Sequence, residues 1–302
     1  MLFFFKYRNN RLTFVETFSL IVSLLIIHLT TLSPDHLNAQ VSQGGLPASF
    51  NLRSTGDIPV IELVAPDLIT IRDEDLQNEK MGITKRVGID VPAGIDILKD
   101  SRHEVLPDMT SLWRLAIYCR NAQGIGLYFD DFHLEEDYRL FVYDESGRNI
   151  LGAYTLLNNK AHRLFSTEIL AGEKVIVEIN ADPEHSAEIG CNISTISYFY
   201  DELPDFMNKR GTSDDCEVNI NCPEGMNWQY QKHGVARIYV KQGGGYYWCS
   251  GSLLNNTLQN NEPFLLTADH CGPTASEDDF AQWIFYFNYE APACENPVEN
   301  PV

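Results

Sequence analysis

Short apolar runs separated by turn-forming residues dominate the middle of the chain. Each run is rich in β-branched and aromatic residues, and sequences such as 144–147 and 182–183 supply the turns between them. Short strands at this spacing are typical of a β-sandwich, so we predict an all-β domain over residues 111–205. The six predicted strands cover residues 113–119, 126–132, 138–143, 150–155, 174–179 and 193–200.

The first forty residues have a different pattern. Three basic residues precede an apolar run over residues 18–32, and small and polar residues follow it up to Ala39. The run is too short and too interrupted for a comfortable membrane span, so we predict a secretory signal peptide over residues 1–39. An uncleaved N-terminal anchor is the alternative. No second apolar stretch of membrane length follows, and we expect no membrane contact beyond this signal.

Residues 40–110 have a mixed composition, with five prolines between Pro47 and Pro107 and a charged cluster over residues 72–80. Prolines at this density interrupt helices and central strands. We therefore expect a loosely structured N-terminal segment, or strands at the edge of a sheet.

A hairpin near the C-terminal end places a histidine on a fixed backbone. An aromatic strand over residues 246–254 is interrupted by Gly251, where a side chain would obstruct a close approach, and a second apolar strand covers residues 263–267. His270 follows this second strand directly. A histidine whose pKa lies near physiological pH can take a proton from a serine hydroxyl, whereas the alternative is a histidine that only fills a loop.

Two motifs in this region carry a family resemblance. The sequences Cys-Ser-Gly-Ser-Leu at 249–253 and Thr-Ala-Asp-His-Cys at 267–271 resemble the chymotrypsin-like serine proteases. The sequence over 216–225, with Cys-Pro-Glu-Gly at its end, resembles the mature start of the bacterial lysyl endopeptidase family. The resemblance implies that residues 211–302 are a partial trypsin-like domain, the truncated first β-barrel of a chymotrypsin-like double barrel. It also implies that His270 is the general base.

The same resemblance implies how the cysteines of this region pair. It pairs Cys249 with Cys271 and Cys222 with Cys294, and it gives Cys216 a partner that the chain does not contain. Closing the loop of 271 − 249 = 22 residues should stabilise the fold by roughly 3 kcal/mol.

The cysteine pattern as a whole favours a secreted protein. The chain has seven cysteines and no Cys-x-x-Cys pair, which indicates a disulfide framework rather than a zinc ribbon or a thioredoxin-like site. Cys119 and Cys191 lie in the first and last strands of the predicted sandwich, so we expect a disulfide that joins its ends. We predict a secreted protein, extracellular or on the bacterial cell surface.

The predicted sandwich resembles the long pro-regions that precede the protease domain in relatives of lysyl endopeptidase. Residues 206–210 form a basic, polar junction, and the bond between Arg210 and Gly211 is the predicted activation cleavage site. The resemblance implies cleavage of protein or peptide substrates after lysine or another basic residue in the complete protein. The pro-domain itself is the expected intramolecular partner.

Two of the three roles in a serine protease site are unfilled. We interpret Asp278 and Asp279 as surface residues, and Ser250, Ser252 and Ser276 lie outside any Gly-x-Ser-Gly sequence. We therefore expect the chain to be the N-terminal, truncated part of a precursor, inactive by itself. An inactive protease homologue or a non-catalytic, secreted β-sandwich binding protein is the alternative.

Charge and ligand chemistry exclude other classes. The net charge of −20 leaves no basic patch for nucleic acid. Asp269, His270 and Cys271 are potential metal ligands, but three consecutive residues cannot converge on one tetrahedral ion. We expect no metal and no cofactor.

Overall fold

The computed structural model describes residues 41–52, 56–181, 189–201 and 218–295, which all fall within one compact unit. The predicted signal peptide, the junction with Arg210 and Gly211, and Cys216 lie outside the described residues. Within the described ranges, no helix has the length and hydrophobicity that a membrane span requires.

The described residues form fifteen strands and three short α-helices, which confirms the all-β prediction. The helices are α1 (Leu68–Lys80), α2 (Ile97–Asp100) and α3 (Glu277–Ala281). The strands are β1 (Val60–Leu63), β2 (Arg86–Asp96), β3 (Arg102–Val105), β4 (Ser111–Cys119), β5 (Gly124–His133), β6 (Arg139–Asp144), β7 (Ile150–Tyr154), β8 (Phe165–Ser166), β9 (Leu170–Ala171), β10 (Lys174–Ala181), β11 (Gly190–Phe199), β12 (Val235–Gln242), β13 (Gly245–Leu254), β14 (Phe264–Thr267) and β15 (Ile284–Phe287).

The first sheet has the order β1-β4-β10-β6-β7, with β3 paired to the same strand β4. Only β1 runs parallel to its neighbour among these pairs. The sequence of β10 explains its central place, because alternate residues of a strand face opposite sides. Val175, Val177 and Ile179 are fully buried in the core, while Glu178 and Asn180 lie on the other face.

The second sheet has the order β15-β12-β13-β2-β11-β5-β8, with β14 on β13 and β9 on β5. Its strands β5 and β11 face the first sheet across one continuous hydrophobic core. Leu127 and Phe129 of β5 and Ile196 of β11 meet Leu115 and Ile117 of β4 there, and all five are fully buried. Two sheets around one core form the sandwich that the strand pattern predicts.

The expectation of loose structure for residues 40–110 is wrong. This segment contains β1, α1, β2, α2 and β3, and although β1 and β3 occupy edge positions, β2 lies inside the second sheet between β11 and β13. The prolines do not prevent this placement. Pro92 pairs with Thr195 where the ladder shifts register, at a bulge that tolerates a residue without an N–H.

The C-terminal strands do not form a barrel of their own, and the described residues contain no closed barrel. Strand β13 pairs with β2, so β12 to β15 extend the second sheet of the sandwich. A second core packs against this sheet. That core contains Val87, Tyr128, Ile169, Phe199, Tyr239, Tyr246 and Ile284.

Candidate functional site

The predicted hairpin is present as β13 and β14. The two strands are antiparallel, and Gly251 lies opposite Thr267. A Cβ atom on Gly251 would lie 2.9 Å from the carbonyl oxygen of Leu266 and 2.7 Å from Cδ2 of Leu265. The close approach that the sequence predicts at this glycine is confirmed.

His270 lies on a 3-10 turn, Asp269–Cys271, that begins immediately after β14. The N–H of Cys271 donates to the carbonyl oxygen of Ala268 at 3.0 Å, and this closes the turn. A disulfide joins Cys271 to Cys249 of β13, with the Cα atoms 5.9 Å apart. Cys271 is buried while His270 is exposed. The imidazole is therefore presented to solvent from a backbone held at both sides.

A small apolar core supports the turn from below. Cys271 packs in it with Ile238, Val240 and Trp283. The indole N–H of Trp283 donates to the carbonyl oxygen of Lys241 at 3.0 Å, which fixes the ring under the turn. Covalent closure and buried packing together predict that the turn keeps its conformation when a substrate approaches.

The hydroxyl of Thr267, the last residue of β14, hydrogen-bonds β13. It donates to the carbonyl oxygen of Ser250 at 2.8 Å and lies 3.1 Å from the sulfur of Cys271. A threonine before the histidine thus ties the turn to β13 by a hydrogen bond as well as by the disulfide.

An open depression of about 400 Å³ lies beside the turn. Its walls come from the first residue of β12, from β13 and from β14. Ser250 and Ser252 are among the lining residues, and so is Ala268, which directly precedes the histidine turn.

Within residues 41–52, 56–181, 189–201 and 218–295, no carboxylate bonds His270 to orient it. Among the described residues, none hydrogen-bonds the imidazole of His270. Asp279 accepts a hydrogen bond from the N–H of Ser276 at 2.9 Å and caps α3, and the exposed Asp278 lies in the same first turn. Their assignment as surface residues is consistent with this geometry. Ser276 serves the same cap through its hydroxyl, which accepts from the N–H of Asp279.

The sulfur atoms near His270 do not make a metal site. Ligand atoms of Cys249, His270 and Cys271 lie within 4.8 Å of one another. The two sulfurs are joined in a disulfide, and metals bind thiolates. This cluster therefore offers a metal ion a single ligand atom, an imidazole nitrogen of His270.

The second disulfide, Cys222–Cys294, has the pairing that the resemblance implies. The expected disulfide between Cys119 and Cys191 is absent, since both cysteines are free and buried. They belong to β4 and β11, on opposite sheets of the sandwich. Packed sheets lie about 10 Å apart, and a disulfide needs Cα atoms closer than about 7 Å. Burial raises the pKa of the Cys119 thiol to about 11 and raises that of Cys191 further.

Arg237 was missed by the reasoning from sequence. Its guanidinium carbon lies 3.6 Å from the ring centre of Trp248 and 4.7 Å from that of Tyr289. Burial lowers the pKa of Arg237. The stack fastens the segment after β15 to the strand that carries Cys249, and the aromatic alternation along β13 was the only signal for it in the sequence.

Comparison with known proteins places the histidine turn within a recognised family region. Residues 210–301 match the family model described as "Lysyl endopeptidase, C-terminal domain". No solved structure matches the chain.

Proposed function

We propose that this chain, whose residues 210–301 belong to the lysyl endopeptidase family, is part of the precursor of a secreted serine endopeptidase with His270 as its general base. One observation carries this proposal. The Cys249–Cys271 disulfide clamps a turn that exposes His270 beside an open depression.

The geometry suits the work of a general base. Proton transfer requires the imidazole to lie within hydrogen-bond reach of the nucleophile in a bound complex, so a mobile histidine would lose rate. The disulfide, the Thr267 hydroxyl and the packing of Cys271 on Trp283 all act on the backbone of this turn. The side chain is left exposed to meet its partners.

The described residues supply only one of the three catalytic roles of a serine protease, that of the general base. A serine protease also needs a nucleophilic serine and a carboxylate that orients the imidazole. Neither is bonded to His270 among the described residues. We therefore expect that residues 40–302 alone hydrolyse no peptide bonds.

The proposed substrates are proteins or peptides cut after lysine or another basic residue. Residues 211–302 contain 3 Lys or Arg and 12 Asp or Glu, a balance of 3 − 12 = −9. A negative field raises the local concentration of cationic substrates.

The two disulfides are typical of an extracellular protein. We therefore propose that the protein lies in the medium or on a bacterial cell surface.

A peptide library tests this function. The protein secreted by its own cells should cut peptides after lysine or arginine. A preference for aromatic or small residues before the cut would refute the proposed specificity.

Among the described residues, no side chain hydrogen-bonds the imidazole of His270, and this favours a second candidate. An inactive homologue, or a β-sandwich that binds other proteins, needs no triad. A secreted protein that shows no turnover on any peptide of the library, yet stays folded, would support this candidate over the peptidase.

A further inference from the structure

The predicted pro-region and the protease-family region share one sheet. We call residues 41–201 the sandwich part and residues 218–295 the hairpin part. Strand β2 of the sandwich part pairs with β13 of the hairpin part, with Gly245 opposite Ile89 and Tyr246 opposite Gly88. The N–H of Asp90 continues the ladder by donating to the carbonyl oxygen of Gly244 at 2.9 Å. The joint is thus an addition of strands rather than a contact between finished surfaces.

The two parts also share a core. Tyr128 and Phe199 of the sandwich part pack with Tyr239 and Tyr246 of the hairpin part, and each is at most 1% exposed. The rings of Tyr128 and Tyr246 lie 5.1 Å apart between centres. Aromatic side chains bury roughly 150–250 Å² each. Separation of the parts would expose all four rings to water.

Hydrogen bonds also connect side chains of the sandwich part to side chains of the hairpin part. The hydroxyl of Tyr246 donates to the carboxylate of Asp90. The hydroxyls of Tyr239 and Ser197 are 2.6 Å apart, and either can donate. A Cβ atom on Gly88 would lie 2.9 Å from the Tyr239 hydroxyl, so glycine at this position admits the tyrosine.

A second set of contacts also joins the two parts. Gln282, two residues before β15, is buried and donates to the carbonyl oxygens of Phe129 at 3.1 Å and Phe165 at 3.3 Å. Its own carbonyl oxygen accepts from the Ser166 hydroxyl at 3.0 Å. Lys241 donates to the Gln282 side chain at 2.9 Å. The hairpin part is therefore held to the sandwich part at two separate places.

We propose that the sandwich part remains bound to the hairpin part as a noncovalent subunit after the chain between residues 201 and 218 is cut. If the two parts were separated, each would expose to water the apolar side chains that it contributes to the shared core. Strand β2 acts as the template for β13, which carries Cys249 and thereby the histidine turn. Both observed disulfides lie within the hairpin part, so neither holds the two parts together.

This inference rests on the proposed function only where it calls the sandwich part a pro-region. A binding measurement needs no peptidase activity, so the two ideas fail in distinguishable ways. Separation of the two pieces after the cut refutes the inference, whereas absence of peptide cleavage by the protein isolated from its own source refutes the proposed function.

The test uses the full chain with a site-specific protease sequence in place of residues 205–211, and with Cys216→Ser. A non-reducing denaturing gel confirms that every chain is cut into two pieces. Size-exclusion chromatography under native conditions should then show one peak that contains both pieces, at concentrations down to about 1 µM. Two separate peaks at that concentration would overturn the proposal.

A matched pair of variants locates the joint. Tyr246→Phe removes only the hydroxyl that bonds Asp90, and it should raise the dissociation constant of the cut complex about tenfold or more. Tyr230→Phe removes a hydroxyl from a side chain that is 87% exposed, and it should leave the dissociation constant of the cut complex unchanged. Circular dichroism before the cut checks that both variants fold. An unchanged dissociation constant in Tyr246→Phe would refute this interface.

Discussion

Replacement of Gly251 with alanine tests the packing beneath the histidine turn. The added Cβ would lie 2.7 Å from Cδ2 of Leu265, 2.9 Å from the carbonyl oxygen of Leu266 and 3.1 Å from Cδ1 of Ile238. The two side-chain ends can rotate away. The Leu266 oxygen belongs to the backbone of β14, so the ladder between β13 and β14 must shift.

The cost follows from this forced shift. Overpacking of a buried position costs about 1–3 kcal/mol, and for a domain of this size about 2 kcal/mol lowers the melting temperature by roughly 4–8 °C. Circular dichroism during heating measures the change for Gly251→Ala against the parent chain.

Gly234→Ala is the matched control, because its Cβ would lie 3.7 Å from the nearest atom, Cβ of Leu253 on the same strand β13. We expect the control to melt within about 1–2 °C of the parent. Equal melting temperatures for both variants would refute the close approach at Gly251.

The remaining predictions concern the cysteines and catalysis. Replacement of Cys249 and Cys271 together by alanine should lower the free energy of unfolding in urea by about 3 kcal/mol, since the disulfide closes a separation of 22 residues; an unchanged value would contradict it. Cys119 and Cys191 should resist iodoacetamide at pH 8 in the folded chain and react after denaturation, because burial raises both pKa values and the thiolate is the reactive form; rapid native labelling in peptide mass spectrometry would refute their burial. A purified protein of residues 40–302 should release no dye from lysyl or arginyl amide substrates, and turnover above buffer would reveal an unrecognised nucleophile.

Local signals explain what the sequence predicts well. The alternation of apolar residues gives the sandwich strands, and Gly251 together with the cysteines around His270 gives the hairpin and its turn. Each of these features depends on residues within about thirty positions of one another. Such patterns follow from strand periodicity and turn chemistry alone.

The pairing of β2 with β13 depends on residues far apart in the chain. Nothing local in 86–96 distinguishes an interior strand from an edge strand, and the prolines of this region argued for the edge. The same limit explains Gln282, whose buried amide bonds the carbonyl oxygens of Phe129 and Phe165. A polar side chain in a sequence shows no sign of the distant backbone groups that it will satisfy.

The prediction of a disulfide between Cys119 and Cys191 is wrong for a geometric reason. Cys119 and Cys191 lie at the ends of the predicted sandwich in sequence, but they belong to different sheets. Sequence order does not fix which strands share a sheet, so the positions of these cysteines in the first and last predicted strands were weak support for their pairing.

The most direct test of the proposed function is the kcat/KM of the protein, isolated from its own source, on a lysyl peptide substrate. His270→Ala should lower this value by about ten-thousand-fold or more, because the general base of a triad is lost. His233→Ala is the control, since His233 is also exposed and its imidazole bonds Asn288 at 2.7 Å. A His270→Ala protein that keeps its full kcat/KM would contradict the account.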